Sequence, residues 1–435
     1  MDRACRLAAL ALLAAFPLAA QPRFRDVAAS SGLLFVLENS PTPQKHLIET
    51  MPGGVAAFDY DNDGLTDIFF TNGAVVPSLE KNAPKYWNRL YRNEGAMKFR
   101  DVTAEAGVAG AGYSMGVATG DYDNDGRVDL FIAGVYRNLL YRNLGNGKFE
   151  DVTARAGIGG GSWSVAAGWF DYDGDGRLDL FVVNYTNWTA KFDRYCGDAA
   201  RQIRVYCHPR FFDTVASRLY RNRGDGSFED VSTRTGIAAH RGRGMSVAFA
   251  DYDADGRPDA FVTNDALPNF LFRNLGDGRF EEAGLTAGVA LLDTGKPVSS
   301  MGADFRDYDN DGWPDLSITA LAARPSRCSA TWEKDCFATP PMPAGWARSA
   351  SAAAAGATGF TTSTTTAART CSQPTPTSTT TSRRSRPAST SCPTAFCRTR
   401  ATASFATPPR ASPPPARIAA APSPISTTTA ASISS

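Results

Sequence analysis

The chain has 435 residues, with 45 lysines and arginines against 44 aspartates and glutamates, which gives a formal net charge of +1. This length allows two ordinary domains or one large array of repeats. The basic residues form no stripe and no recognition helix is evident, which argues against a nucleic-acid-binding protein.

The first twenty residues have the pattern of a secretory signal. Arg3 and Arg6 precede an apolar, alanine-rich run from Leu7 to Ala20, which is too short to be a good membrane-spanning helix. We therefore predict a signal peptide over residues 1–20, cleaved near Ala20. The expected product has no membrane span and is secreted, periplasmic or extracellular.

The segment from Phe24 to Leu33 is a single copy of a pattern that recurs later as the last strand of each repeat. No hairpin partner precedes it in the chain. We expect this strand to pair with the last repeat and so to close a ring of repeats, because closure removes exposed sheet edges.

An acidic nonapeptide occurs five times, with aspartates at positions 1, 3, 5 and 9 and glycine at position 6. Ca²⁺ takes about six to eight oxygen ligands, so alternate carboxylates on a tightly turned backbone can surround one ion. The alternative is that these segments are solvent-exposed turns that bind no metal. Five copies in the same register make this alternative less convincing than it would be for one copy. We predict five calcium loops whose ligands are the four aspartates and the residue at position 7, which can use its backbone carbonyl. The candidates are Asp59, Asp61, Asp63, Leu65 and Asp67; Asp121, Asp123, Asp125, Arg127 and Asp129; Asp171, Asp173, Asp175, Arg177 and Asp179; Asp251, Asp253, Asp255, Arg257 and Asp259; Asp307, Asp309, Asp311, Trp313 and Asp315.

These loops differ from the calcium helix-loop-helix, in which position 12 is a bidentate glutamate. Position 12 is apolar in every copy, and β-branched and aromatic residues follow each loop. The element after each loop is therefore predicted to be a strand. The residues at position 12 are Phe70, Ile132, Val182, Val262 and Ile318.

A second repeated pattern follows each of the first four loops. Leu140-Tyr-Arg-Asn-Leu-Gly leads through a polar turn into Phe149-Glu-Asp-Val-Thr, and the other three units read similarly. This is the pattern of a β-hairpin. One unit therefore reads strand, calcium loop, strand, connection, strand, tight turn, strand, which fits a propeller blade. The Leu, Tyr and Phe are expected to pack between blades, and the Arg-Asn pair to satisfy backbone groups at the turn.

The long insertion between Asn184 and Arg218 contains Cys196 and Cys207. In an oxidising compartment these two cysteines most simply form a disulfide. A zinc site formed by these two cysteines and His208 is the weaker alternative, because the sequence offers no evident fourth ligand.

The composition changes to threonine, serine, proline, alanine and arginine from Arg324 onward. Only Glu333 and Asp335 are acidic among these 112 residues. We predict a partial propeller over residues 21–323 and a low-complexity tail over 324–435 that is disordered, because it has few large apolar residues.

A shifted reading frame offers another explanation of this tail. Read one base out of frame, residues 328–339 are compatible with LFRNLGKGLFRD, the hairpin that the fifth unit lacks, and Trp332 with its single codon still fits. Residues 362–370 and 425–433 are compatible with two further acidic loops. We hypothesise a frameshift near Ala323, so that the intact gene would encode seven blades and this chain about four and a half. The alternative is a genuine linker or stalk.

The loop from Asp121 to Asp129 with its flanks resembles the FG-GAP/VCBS repeat of integrin-α-type propellers. Its pairing with the Leu-Tyr-Arg-Asn hairpin resembles secreted bacterial proteins of the cartilage acidic protein (ASPIC/UnbV) family. The resemblance covers residues 24 to about 323 and implies an all-β, calcium-stabilised β-propeller, seven-bladed in integrins. A C-terminal ASPIC/UnbV module is also implied, but the sequence after residue 323 does not match one.

The function expected from these features is a non-catalytic interaction or adhesion scaffold that binds Ca²⁺ and an extracellular protein or glycan. An enzyme such as a polysaccharide lyase or hydrolase is the first alternative, but His46, His208 and His240 lack a nucleophile or base at motif spacing. The second is a carbohydrate-binding propeller with sugars stacked on tryptophans, which we expect instead to pack within blades. Those tryptophans are Trp163, Trp169 and Trp188.

Overall fold

The computed structural model describes residues 24–191, 194–292, 294–308 and 312–321, and the backbone of residues 327–333 and 336–338. The predicted signal peptide and most of the predicted tail lie outside the described residues. Asp309 and Asp311 of the fifth acidic loop also lie outside them.

Five antiparallel sheets of four strands each dominate the described residues, and we number them blades 1 to 5. Blade 1 contains β1 (Val55–Phe58), β2 (Asp67–Phe70), β3 (Arg89–Asn93) and β4 (Phe99–Asp101); blade 2 contains β5 (Ser114–Gly120), β6 (Asp129–Gly134), β7 (Leu139–Asn143) and β8 (Phe149–Asp151); blade 3 contains β9 (Ser164–Phe170), β10 (Asp179–Asn184), β14 (Arg218–Asn222) and β15 (Phe228–Asp230); blade 4 contains β17 (Gly244–Ala250), β18 (Asp259–Asn264), β19 (Phe270–Asn274) and β20 (Phe280–Glu282); blade 5 contains β21 (Ser299–Arg306), β22 (Asp315–Leu321), β23 (Arg327–Glu333) and β24 (Cys336–Ala338).

The remaining elements are short. Two small antiparallel ribbons are β11 (Gly197–Asp198) with β12 (Ile203–Arg204), and β13 (Val215–Ala216) with β16 (Arg241–Gly242). The α-helices are single turns, α1 (Ala28–Ser31), α2 (Thr103–Ala106) and α3 (Thr153–Ala156), and the 3-10 helices are Leu47–Thr50, Pro84–Tyr86, Pro209–Phe211 and Ile237–Ala239.

The predicted fold class is confirmed: the protein is all-β, with propeller-like sheets built from one repeated unit. In each blade an acidic loop joins the first strand to the second, and in blades 1 to 4 the third and fourth strands form the predicted hairpin. In blade 2, Tyr141 lies opposite Asp151 and Asn143 lies opposite Phe149. Blades 1, 3 and 4 repeat this register.

Four of the hydrophobic clusters lie between consecutive blades, which is how sheets with two apolar faces are buried. Between blades 1 and 2, Phe58, Phe69 and Leu90 pack with Leu130 and Leu139. Similar clusters join blade 2 to 3, 3 to 4 and 4 to 5. The Leu, Tyr and Phe residues of the hairpins thus have the packing role that the sequence predicted.

Blade 5 has four strands, so the chain forms more than the four and a half blades that we predicted. The difference arises because β23 and β24 lie beyond the predicted boundary at residue 323. Ser329 lies opposite Leu316 as Tyr141 lies opposite Leu130, and Thr331 lies opposite Phe337. This is the register that the shifted reading of residues 328–339 predicts, although the frameshift itself stays a hypothesis.

Sequencing the gene across codon 323 tests that hypothesis directly. We expect a single-base shift that restores a hairpin motif after residue 327 and two further acidic loops. An uninterrupted frame through codon 323 in independent templates would make residues 324–435 genuine and reject the hypothesis.

The Phe24 segment shares a helical turn with the corresponding segments in the repeats, but its residues 24–26 form no strand. Helix α1 is followed by Gly32 with φ of 87°, as α2 is followed by Gly107 with φ of 77°. Phe24 is 91% exposed, whereas Phe149 is 7% exposed. Among the described residues no hairpin packs against Phe24, and closure of a ring by this segment stays a prediction.

Candidate metal centre

Each acidic loop is folded by its own first aspartate. In loop 2, Asp121 accepts the backbone N–H groups of Asp125 through Oδ1 at 2.9 Å and of Gly126 through Oδ2 at 2.8 Å. Gly126 has φ of 82° and open space around its Cβ position, so glycine is required here for backbone conformation rather than for room. The other loops repeat the bond from the glycine to the first aspartate.

The aspartate at position 9 is buried and fixes the loop to the hairpin of the same blade. Asp129 is fully buried and accepts the backbone N–H of Asn143 at 2.7 Å and that of Tyr122 at 3.2 Å. Both oxygens therefore accept hydrogen bonds from backbone N–H groups, which can donate but cannot accept. This arrangement favours the ionised carboxylate over the protonated carboxyl group. Blades 1, 3 and 4 have the same pair of bonds.

Burial opposes this ionised state in the absence of a cation. Removal from water is the main cause that raises the pKa of Asp67 to about 6, of Asp129 to about 8, and of Asp179 and Asp259 to about 7. The neighbouring carboxylates raise the pKa further, because like charges repel. A bound divalent cation would reverse both effects.

The structure brings the predicted carboxylates together in four loops. In each group, one oxygen from each of three aspartates lies within 4.8 Å of the others. The groups are Asp59, Asp61 and Asp67; Asp121, Asp123 and Asp129; Asp171, Asp173 and Asp179; Asp251, Asp253 and Asp255. In loop 5, Tyr308 donates its backbone N–H to Asp315 at 2.9 Å, while Asp309 and Asp311 lie outside the described residues.

Three of the aspartates at position 3 bury an oxygen that no hydrogen-bond donor among the described residues satisfies. Oδ1 of Asp61, Asp123 and Asp253 is buried and has no hydrogen-bond partner among the described residues. Asp253 as a whole is only 1% exposed. Such an oxygen is costly to bury, and a cation at the centre of the loop would satisfy it. All the candidate side-chain ligand atoms in these loops are oxygens, the ligand type that Ca²⁺ prefers.

Sequence reasoning missed the arginine of the hairpin. It was expected to satisfy backbone groups, but Arg142 donates through Nε to Asp123 Oδ2 at 2.6 Å and through Nη2 to Asp125 Oδ2 at 3.1 Å. Arg92, Arg221 and Arg273 occupy the same place in the other blades. The strict recurrence of this arginine after each loop was the available signal.

The asparagine beside this arginine does satisfy backbone groups, as predicted, and it also joins neighbouring blades. Asn143 Nδ2 donates to the carbonyl of Val128 in its own loop at 3.1 Å and to that of Tyr60 in the preceding loop at 2.7 Å. Asn222 and Asn274 repeat the bond to the preceding loop at 2.7 Å. The acidic loops are thus hydrogen-bonded from one blade to the next.

The residues at position 7 have an additional role in three loops. Arg127, Arg177 and Arg257 each turn the guanidinium group back to the carboxylate at position 5. Position 7 of loop 1 is Leu65, which is 37% exposed. Their use as carbonyl ligands, and that of Trp313, stays a prediction.

The other residues singled out in the sequence have structural surroundings. Cys196 and Cys207 form a disulfide with an S–S distance of 2.00 Å. His46 packs edge-on against Trp188, His208 accepts the backbone N–H of Arg210, and His240 contacts Phe270. Trp163, Trp169 and Trp188 are 0%, 8% and 1% exposed, so they pack within the protein.

The raised pKa values predict a different pH dependence of stability with and without calcium. An aspartate whose folded pKa lies above its ordinary value of 3.8 binds more protons when folded, so the calcium-free protein should lose stability as the pH rises from about 4 to about 8. Calcium holds these carboxylates ionised, so the stabilisation that it provides should grow over the same interval. Thermal unfolding of calcium-depleted and calcium-saturated protein at about pH 5 and about pH 8 measures both slopes. Parallel pH profiles under the two conditions would contradict this.

Comparison with known proteins identifies the repeat. The model of the FG-GAP-like repeat matches residues 59–132, 121–182, 211–262 and 251–317. Cartilage acidic protein 1 of Homo sapiens is 33% identical over 104 residues, which cover 24% of this chain and 15% of that protein. The Xenopus tropicalis protein of the same name is 29% identical over 109 residues, covering 24% of this chain and 16% of its own length. The chain thus matches less than a fifth of the length of these relatives.

Similar solved structures are distant in sequence. An Agrocybe aegerita lectin that recognises non-reducing terminal N-acetylglucosamine has 17% identity and a TM-score of 0.37, over 66% of this chain and 64% of the lectin. The V. cholerae biofilm matrix protein Bap1 has 12% identity and a TM-score of 0.35, over 66% of this chain and 38% of Bap1. Within the described residues, no helix is both long enough and apolar enough to cross a bilayer.

Proposed function

Because the chain belongs to the FG-GAP-like repeat family, we propose that it is a calcium-binding propeller scaffold that acts outside the cell or in the periplasm. Its blades present a surface for an extracellular protein or glycan, and it catalyses no reaction. The domains proposed for it are a signal peptide over residues 1–20, a partial propeller over 21–323 and a tail over 324–435.

The observation that carries this proposal is the set of buried, unsatisfied oxygens at position 3 of the loops. Asp61, Asp123 and Asp253 each bury an Oδ1 atom without a hydrogen-bond partner among the described residues. Other aspartates of the same loops lie within coordinating reach of them. A hard divalent cation satisfies these oxygens, and Ca²⁺ tolerates the irregular geometry of such a loop better than Mg²⁺, which demands a near-ideal octahedron.

The contacts around the loops support a structural role for this ion. Asp129 binds the hairpin of its own blade through the N–H of Asn143, and Asn143 binds the preceding loop through the carbonyl of Tyr60. An ion held by Asp129 therefore strengthens contacts within one blade and between two blades. Binding to the folded state alone stabilises that state.

An extracellular location is supported by the disulfide between Cys196 and Cys207, because such bonds persist in oxidising compartments. Calcium loops of modest affinity also suit an environment in which the ion is abundant. The signal peptide proposed for residues 1–20 completes this assignment.

No described residue favours either alternative function over the scaffold. Ring contacts of His46 and His240 and the hydrogen bond to His208 give each histidine a structural explanation. The three tryptophans are too buried to stack on a sugar ring. A glycan partner would therefore have to bind elsewhere on the surface.

The proposal is tested in two steps on the full chain. Calorimetric titration of chelator-treated protein with CaCl₂ should show uptake of several ions, with at least one for each of the four described acidic groups. A glycan array and a panel of purified matrix proteins should then reveal a partner whose binding is lost in chelator. Absence of calcium uptake would reject the metal role, and turnover of a polysaccharide would reject the non-catalytic role.

A further inference from the structure

The hairpin arginine connects two carboxylates of the acidic loop in its own blade. Arg92 donates through Nε to Asp61 Oδ2 at 2.7 Å and through Nη2 to Asp63 Oδ2 at 2.9 Å. These are the carboxylates at positions 3 and 5 of loop 1. Arg142 in blade 2 makes the same two bonds with Asp123 and Asp125.

Blade 3 repeats the contact across a longer chain connection, and blade 4 keeps the ion pair with the position-3 carboxylate. Arg221 Nε lies 2.7 Å from Asp173 Oδ2 and its Nη2 lies 3.3 Å from Asp175 Oδ2. In blade 4, Arg273 Nε lies 2.7 Å from Asp253 Oδ2. The separation along the chain is 48 residues in blade 3 but 19 in blade 2, so the geometry is preserved across a long insertion.

The arginine always holds the same oxygen of the position-3 carboxylate. Oδ2 of Asp61 and of Asp123 accepts a hydrogen bond from the guanidinium group, and Oδ2 of Asp253 lies at ion-pair distance from it. Oδ1 of the same three residues is buried and has no hydrogen-bond partner in the described part of the chain. Fixing Oδ2 on one side fixes the direction of Oδ1. The remaining oxygen lies with the other carboxylates of the loop.

We propose that Arg92, Arg142, Arg221 and Arg273 are positioning residues that orient the position-3 carboxylate so that it offers one oxygen to the calcium ion. This inference rests on the proposed calcium binding. Groups that orient metal ligands in this way contribute about 10- to 100-fold to metal affinity in other proteins.

Charge neutralisation alone does not explain the contact. In loop 2, Arg127 already places a second guanidinium on the carboxylate of Asp125. A planar guanidinium can donate through Nε and Nη2 to two different carboxylates at once, whereas a lysine ammonium is a point charge without fixed directions. The two-carboxylate geometry therefore distinguishes an orienting role from a counter-ion role.

The test replaces all four positioning arginines with lysine, which keeps the charge and removes the planar fork. In the full chain carrying R92K, R142K, R221K and R273K, calcium affinity in calorimetric titration should fall by about 10-fold or more. The matched control carries R100K, R155K, R223K and R279K, one surface arginine in or beside each of blades 1 to 4. These four pair with carboxylates outside the acidic loops, and the control should bind calcium as the unmodified protein does.

A second measurement separates orientation from general loss of stability. Tb³⁺ can replace Ca²⁺ in such oxygen sites, and its luminescence lifetimes in H₂O and D₂O report the number of bound waters. The fourfold lysine variant should bind Tb³⁺ with more water than the control does, because a misdirected carboxylate oxygen is replaced by solvent. A variant that is only less stable would keep the hydration number at saturating Tb³⁺.

Two results would overturn the inference while leaving the proposed function intact. One is equal calcium affinity and hydration in the lysine variant and the control. The other is tighter calcium binding after substitution of the same four arginines by glutamine, which would show that the arginines compete with the ion. Failure of the unmodified protein to take up calcium would instead reject the proposed function.

Discussion

Removal of calcium is expected to lower the melting temperature of the protein by more than about 10 °C, the largest effect that we predict. Each site saturated at about 100 times its dissociation constant contributes about 2.7 kcal/mol to the folded state. For domains of about 150 to 250 residues, 1 kcal/mol corresponds to about 2 to 4 °C. Four carboxylate groups lie in the described loops, so their joint loss is large even if the contributions are only partly additive.

The reason for so large an effect is where the ions would bind. Without a cation, each loop keeps a buried aspartate such as Asp129, whose pKa burial raises to about 8, close to the other carboxylates of its loop. The same aspartate accepts the N–H of Asn143, so local repulsion is transmitted to the hairpin. Thermal unfolding followed by circular dichroism, with excess CaCl₂ or excess chelator, measures the difference.

Two controls define the outcome. Excess MgCl₂ should restore little of the lost stability, because Mg²⁺ demands an octahedral site at shorter distances. Excess CaCl₂ added after the chelator should restore all of it. Identical melting curves with and without chelator would contradict the structural role of the ion.

Substitution of Asp129 by asparagine is expected to remove one calcium ion and to lower the free energy of unfolding by about 3 to 5 kcal/mol in saturating calcium. About 1 to 3 kcal/mol comes from a buried N–H left without its acceptor, because asparagine has one carbonyl oxygen where aspartate has two acceptors. The rest is the lost linkage to the ion. Denaturant unfolding and calorimetric titration of the D129N variant measure the two quantities.

Calcium-free conditions provide the internal test of this assignment. There the D129N penalty should shrink to the hydrogen-bond part, since no ion is bound in either protein. The matched control is D151N, because Asp151 is exposed in the same blade, lies in no acidic loop and accepts hydrogen bonds from Thr153. D151N should bind the full number of ions and change stability by no more than about 0.5 kcal/mol. An equal penalty for D129N with and without calcium would show that Asp129 holds no ion.

Much of the local structure was predictable because its determinants lie close together in the chain. The carboxylates at positions 1, 3, 5 and 9 and the glycine at position 6 fit within nine residues, so Asp121 and Gly126 specify the turn by themselves. The hairpin between Asn143 and Phe149 is equally local. Recurrence then predicted four-stranded blades, because one such sheet cannot bury both of its faces.

The fifth blade shows the limit of composition as a guide. Residues after 323 resemble a low-complexity tail in their amino-acid content, yet the backbone of Arg327–Glu333 and Cys336–Ala338 pairs in the blade register. Strand pairing depends on backbone hydrogen bonds to an available edge, here that of β22. The amino-acid composition of a segment does not show whether an unpaired strand edge is available to it.

The all-β repeat, the acidic loops and the hairpins could be predicted because each depends on residues within a short window of the chain. The groups that meet around each loop could not, because they come together only when the blades pack. Arg221 reaches Asp173 across 48 residues, and Asn143 reaches Tyr60 in the preceding blade. Such contacts follow from strand register and from the packing of one blade on the next. Those distances in space are independent of the distances along the chain.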